Sequence, residues 1–398
     1  MRTSALALLF MCSGLAQAQP AVVDSVRLEN GVALSFESSV MGEPWTIHVA
    51  LPTDFDPERS YPVVYHFDGT PHFALVSGLA HYLTLYEAAP PLIVVGIEQH
   101  SRSYELIPPV AEETASRYPN TRIGGGDQFL QFLSDEVIPL VDAQYSTAPF
   151  RVLAGHSNGG LFALYALAER PDLFHAALSA SPSLHWDNAA TVGRVMAALD
   201  DDISPGPQPQ SFLYLTIGTE GRRYRAAVDS LAARLETKAP SDLAWRFEDY
   251  PSEAHPYTFI PTYRNGLVFV FDGIALPRDT WDEIEGGAFA LFGEHFRDAS
   301  ARFGFPVVPT WSDFELLGNA HLAHDDFDGA EVVYEEYQRA YPDLPGPYGN
   351  RASLSAERGD TEAALGLYRR ALQIARANPD WSPMVAIYER EIAELEVE

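Results

Sequence analysis

Cysteine is nearly absent from this 398-residue chain: Cys12 is the single one. It stands inside a segment expected to be removed, which leaves no disulfide, no thiolate nucleophile and no cysteine metal site. Positive charge is also scarce, with 26 Lys and Arg against 55 Asp and Glu, a formal charge of -29, and Lys238 as the only lysine. Such an acidic surface repels nucleic acid and anionic membranes, so both are excluded as partners. Long apolar runs are missing too. The run Ala5 to Met11 falls far short of the roughly 20 residues a membrane span needs, no later segment reaches that length without charges, and no membrane insertion is expected.

That short run follows Arg2 and closes with Ala16-Gln17-Ala18, a small-x-small cleavage pattern. Residues 1–18 therefore read as a signal peptide, and the mature protein is expected outside the cytoplasm, periplasmic or secreted.

Beyond it, Val26 to Glu37 and Trp45 to Leu51 read as half-exposed opening strands of an antiparallel hairpin or meander. From Tyr61 the pattern becomes short, nearly unbroken apolar runs separated by helix-length stretches: Val63 to Phe67, Leu92 to Ile97, Arg151 to Ala154, Ala176 to Ser181, Phe212 to Ile217 and Ala244 to Asp249. Runs of this kind are parallel strands buried on both faces, so an α/β fold with a mostly parallel, doubly wound sheet is expected over 19–275. Phe129, Leu133, Val137 and Val141 share one helical face between two of them.

After Leu276 the strands stop. A connecting helical segment (276–304) precedes an all-helical region (305–398), in which Asp326, Ala330 and Tyr334 recur 34 residues later as Asp360, Ala364 and Tyr368. That period belongs to tetratricopeptide helical hairpins. Two units fall short of the about three needed for independent stability, so they are expected to lean on the helix near Thr280 to Phe303. A protein partner for these helices is one consequence.

The chemistry concentrates at Gly155-His156-Ser157-Asn158-Gly159. A G-x-S-x-G string is common by chance. Here, however, it follows the apolar strand Arg151 to Ala154 and opens the apolar helix Leu161 to Leu167, the setting of a nucleophile elbow. Small residues at 155 and 159 allow the sharp turn that lifts Ser157 above the sheet, with a helix N-terminus beneath it.

A serine hydroxyl needs a base, and the base needs an orienting group. In this fold the acid follows the nucleophile and the histidine comes last. His295, His321 and His324 lie in the helical tail, which leaves His255. Glu220, just past the strand Phe212 to Ile217, is the leading acid, with Asp249 and Glu253 as rivals. For the oxyanion, one donor is the N–H of Asn158 and the other comes from Gly69 or Thr70, after Tyr65-His66-Phe67-Asp68. His156 and His185 read as shaping the elbow, His81 to Tyr86 as helix packing, and His321, His324, Asp325 and Asp326 as packing and solvation.

The segments Tyr61-Pro62-Val63-Val64-Tyr65-His66-Phe67-Asp68-Gly69, Gly155 to Ala163, and Pro171-Asp172-Leu173-Phe174 leading into Ser181-Pro182-Ser183-Leu184-His185-Trp186 resemble the esterase family of α/β hydrolases. That family includes enterochelin-type siderophore esterases, S-formylglutathione hydrolases and mycolyltransferases. The likeness covers about residues 35 to 272 and is strongest toward the siderophore-esterase branch. It implies Ser157 as nucleophile, His255 as base, Glu220 as acid, a small-molecule ester as substrate, and no metal or cofactor. The helical tail departs from the minimal family fold. Acyl transfer to an alcohol, and a non-catalytic scaffold whose tail recruits a partner, are the competing readings.

Overall fold

The computed structural model describes residues 22–28, 31–53, 55–200 and 210–397. The expected leader over 1–18 lies outside them. The chain forms two compact units, one of residues up to 81, 92–204 and 211–266, the other of 82–91, 205–210 and 267–398.

The first unit is built on a nine-stranded sheet: β1 (Val22–Leu28), β2 (Gly31–Glu37), β3 (Pro44–Ala50), β4 (Tyr61–His66), β5 (Ile93–Ile97), β6 (Thr147–His156), β7 (Ala176–Ala180), β8 (Ser211–Ile217) and β9 (Leu243–Asp249). Their spatial order is β1-β2-β3-β5-β4-β6-β7-β8-β9. The first three pair antiparallel and β3 joins β5 antiparallel, whereas β5, β4, β6, β7, β8 and β9 run parallel. This is an α/β-hydrolase fold.

The expected single strand over 26–37 is two strands. They pair antiparallel, with Leu28 opposite Gly31, so the chain reverses between those two positions.

The central strands are apolar on both faces because helices cover both. All of β4, β5 and β7 is buried, as are Phe212 to Ile217 of β8, whereas the edge strand β9 is only partly covered. The helical stretch between β5 and β6 runs through Gly126–Phe132, a π-turn at Leu133–Val137, and Ile138–Gln144. Pro139 lacks an N–H to return into that ladder, which favours the wider turn just before it. Phe129, Leu133, Val137 and Val141 are all fully buried. Phe67, Phe129 and Phe162 cluster with centroids 5.3 to 6.0 Å apart. Burying each such ring stabilises by about 1.5–3 kcal/mol.

The second unit is helical. The single helix expected near Thr280 to Phe303 is two, Arg278–Glu285 and Ala290–Phe303. Gly286-Gly287 breaks it, and Gly287 takes φ +100, a conformation side chains rarely adopt. The helices Trp311–Ala323, Phe327–Ala340, Gly346–Glu357, Thr361–Ala377 and Ser382–Leu395 follow, each packed on the next. The recurring positions do matching work. Asp326 and Asp360 cap two helices by accepting from the N–H of Gly329 and Ala363. Ala330, Tyr334, Ala364 and Tyr368 face inward.

Packing does not account for all of His81 to Tyr86. Val76, Ala80 and Leu83 are buried on one face of the helix Gly69–Leu85, which leaves Tyr82, Leu85 and Tyr86 exposed on the other. His321 bonds Asp326 Oδ2 at 2.8 Å and stacks on Phe289, and His324 donates to Glu285 O at 2.8 Å. No helix among the described residues is long and apolar enough to cross a membrane.

Candidate active site

The carboxyl ends of β4, β6, β7, β8 and β9 converge, and the site forms there entirely within the first unit. Parallel sheets bind ligands at this edge because the loops leaving the strands meet above it.

β6 runs into Ser157, whose backbone is at φ 61, ψ -115, and the helix Asn158–Glu169 starts at once. A serine here is strained by roughly 1–3 kcal/mol, and its surroundings hold it. Its N–H donates to Ala180 O at 2.9 Å, and its carbonyl accepts from Leu161 N and Ser183 N, each at 3.0 Å. The flanking glycines are needed sterically: a Cβ on Gly155 would sit 2.2 Å from the carbonyl of Gly159. The Asn158 N–H lies in the first turn of the helix, where backbone donors have no intrahelical partner.

His255 follows β9 in a short 3-10 turn, His255–Tyr257. Its Nδ1 lies 2.9 Å from Glu220 Oε1. Burial pushes the Glu220 carboxyl up, but the nearby Ser181 hydroxyl and the bond to His255 outweigh it and hold the group below its ordinary range. The carboxylate is therefore ionised and can only accept, so Nδ1 carries the proton and Nε2 of the neutral ring is the free lone pair. The Glu220 side chain is 4% exposed and that of His255 34%, so the carboxylate is buried beneath a partly open imidazole.

The rival acids are elsewhere. Asp249 pairs with Arg225, and the nearest role of Glu253 is its carbonyl, which accepts from Thr219 N at 2.8 Å.

His156 holds the backbone of His255. Its Nε2 donates to the His255 carbonyl at 2.7 Å, and the two rings lie 4.6 Å apart. Burial lowers the His156 pKa to about 4, so it is neutral. His185 is also depressed, by burial first and by Arg223 and His255 next, and packs on Tyr224.

The loop after β4 forms the facing wall. Asp68 has φ 56, and its N–H donates to Gln99 Oε1 at 2.6 Å. The N–H groups of Gly69 and Thr70 lie in the first turn of the helix Gly69–Leu85, where backbone donors have no intrahelical partner. The Thr70 hydroxyl bonds Glu98, which also pairs with His48 at 3.0 Å.

Sequence reasoning passed over several residues at this edge: Asp68 as an ion-pair partner, Arg102, Ser183 and Tyr224. Trp186 forms part of the rim, with Nε1 donating to Asn158 Oδ1 at 3.1 Å. Ser183 stood in the quoted Ser181-Pro182-Ser183 string just beyond a strand end, which was the available signal, and Tyr224 lies in the first turn of the helix Arg222–Lys238, shortly after Glu220.

The family described as "Putative esterase" matches residues 38–262, the segment that holds every residue just named for the site. The chain belongs to this esterase family. Among curated relatives, the siderophore triacetylfusarinine C esterase of Aspergillus fumigatus is 29% identical over 175 residues, 40% of this chain and 58% of that one. Ferri-bacillibactin esterase BesA of Bacillus subtilis is 27% identical over 159 residues, 35% and 54% of the two chains. The chain thus spans just over half the length of these two esterases. The apo-salmochelin esterase of Escherichia coli is 31% identical over 258 residues, 59% of this chain and 77% of that esterase. Among solved structures, an IroE-like serine hydrolase from Shewanella oneidensis superposes with a TM-score of 0.65 at 23% identity, covering 78% of this chain and 99% of that one, a likeness of fold.

Proposed function

We propose that this esterase-family chain is a serine carboxylic-ester hydrolase that works through an acyl-enzyme, with Ser157 as nucleophile, His255 as base and Glu220 as the acid that orients it. The observation that carries the reading is the His255 Nδ1 to Glu220 Oε1 bond of 2.9 Å beside a serine on a strained strand-to-helix turn.

In this reading Ser157 Oγ attacks the ester carbonyl while His255 Nε2 takes its proton. The carbonyl oxygen, now negative, is held by the N–H of Asn158 and an N–H from Gly69 or Thr70, where the helix N-terminus adds favourable potential. The tetrahedral adduct collapses and the leaving alcohol takes the proton from His255. Water then repeats the sequence and frees the acid. No step calls on a metal or a cofactor.

For substrate, the siderophore esterases among the relatives support an ester bond within a siderophore backbone, with carbohydrate and lipid esters as alternatives. An alcohol in place of water at the second step would make the chain an acyltransferase. The Ala16-Gln17-Ala18 pattern supports export, and the 34-residue recurrence supports tetratricopeptide-like hairpins that recruit a protein partner.

The test is nitrophenol release from short acyl esters by the native chain and by Ser157→Ala. Loss of release in the variant is expected; equal rates would remove the reading. A panel of siderophore trilactone, carbohydrate ester and lipid ester, with and without added alcohol, assigns substrate and acceptor.

A further inference from the structure

The Ser157 hydroxyl is the end of a chain of hydroxyls. Its Oγ lies 3.1 Å from Ser183 Oγ, which lies 2.8 Å from Tyr224 Oη, which in turn lies 2.9 Å from the carbonyl oxygen of Ser181. Each hydroxyl has one proton, and the carbonyl has none. Donation therefore runs one way: Tyr224 gives to Ser181 O, Ser183 to Tyr224, and Ser157 to Ser183. In this arrangement the nucleophile's proton points at Ser183 and its oxygen is fixed by a bond that does not involve His255.

From this geometry we infer that Ser183 and Tyr224 are positioning residues for the nucleophile: they hold Ser157 Oγ in one place while its proton turns from Ser183 to His255. The inference rests on the reading of Ser157 given above. A serine side chain has three staggered wells, and an open site above a strained turn does not choose among them by packing. Ser183 makes the choice, because its N–H also donates to the Ser157 carbonyl at 3.0 Å, so the two residues are locked at backbone and side chain alike. Rotation about the Cβ–Oγ bond then exchanges the acceptor without moving the oxygen.

Tyr224 connects the nucleophile to its base as well. Its ring meets that of His255 edge-on with centroids 5.3 Å apart, so one side chain touches the base and reaches the nucleophile through Ser183. Burial pushes the phenol up to about 12, against the pull of the Ser183 and Ser157 hydroxyls, which keeps its proton on the oxygen throughout the neutral range.

The experiment compares Ser183→Ala, Ser183→Thr and Tyr224→Phe with the native chain. It reads the rate of labelling by a fluorophosphonate, kcat and KM for nitrophenyl butyrate, and the unfolding midpoint. Ser183→Ala is expected to lower labelling rate and kcat about tenfold, the scale of one hydrogen bond, with KM within about twofold. Ser183→Thr, which keeps the hydroxyl, restores most of that loss, and Tyr224→Phe lowers both rates about threefold. Native labelling rates in Ser183→Ala and Tyr224→Phe would overturn the inference, as would a loss that Thr does not recover. If Ser183→Ala does not fold, labelling of Tyr224→Phe at the native rate is the overturning result. A native chain that resists the fluorophosphonate removes the nucleophile reading itself, which distinguishes that failure from this one.

Discussion

Arg102 Nη2 lies 2.8 Å from the carbonyl oxygen of His156, the residue that precedes Ser157. The same guanidinium grips Asp68 through Nε at 2.6 Å and Nη2 at 3.0 Å. One side chain thus ties the loop after β4 to the elbow after β6, the two segments that face each other across the proposed oxyanion position. Arg102→Met is expected to lower kcat for ester hydrolysis at least tenfold with a smaller change in KM, because the donors move apart while the outer walls remain. Arg102→Lys recovers only part of this, since an ammonium cannot make the forked contact. Steady-state kinetics on a short nitrophenyl ester checks both, and native kcat in the Met variant would contradict the brace.

Glu220→Gln keeps the shape of the side chain and removes its charge. Without a carboxylate, His255 Nδ1 is no longer held as the donor, and kcat/KM is expected to fall by about 10² to 10⁴. Asp249→Asn, which disturbs the exposed pair with Arg225, is expected to stay within about twofold. A reversed order of the two effects would move the acid to Asp249.

The strain at Ser157 can be measured apart from chemistry. Ser157→Gly and Ser157→Ala both lack the hydroxyl, but only glycine takes φ 61, ψ -115 at little cost. The Gly variant is expected to be more stable than the Ala variant by about 1 kcal/mol, even after the greater freedom of its unfolded chain is counted. Urea unfolding of the two variants gives the difference, and an Ala variant of equal or greater stability would argue against backbone strain.

Burial, with Arg151 adding to it, lowers the His175 pKa to about 4. The Arg151 N–H donates to its Nδ1 at 3.3 Å, a bond that only the unprotonated nitrogen can accept. The folded pKa lies below the unfolded value of about 6.5, so the unfolded chain binds the proton first. Stability from this group is complete above about pH 6.5 and declines by about 1.4 kcal/mol per pH unit as pH falls toward 4. Relative to His175→Gln, the native chain should lose about 3 kcal/mol across that interval. A stability difference that stays flat from pH 7 to 4.5 would contradict a neutral buried imidazole.

Local pattern reaches far in this chain because much of its order is local. Strands buried on both faces must be apolar throughout, so β4 to β8 stand out as runs, and the strand-turn-helix around Ser157 is visible because glycine is required where Gly155 meets Gly159. Errors fell where local signals compete: the reversal between Leu28 and Gly31 inside a strand-like stretch, and Gly286-Gly287 inside a helical one. Chain order narrowed the histidine to His255 by elimination, since the other late ones lie in helices of the tail.

By itself, the sequence determined the alternation of strands and helices, the elbow and the acidic surface, since each depends on residues near in the chain or on composition alone. Only the tertiary structure decided which carboxylate meets His255, that Arg102 clasps Asp68 and the His156 carbonyl, and that Ser183 and Tyr224 reach Ser157. Those contacts join residues 26 to 54 positions apart and arise from sheet register and the packing of strand-end loops, which no spacing rule along a single segment encodes.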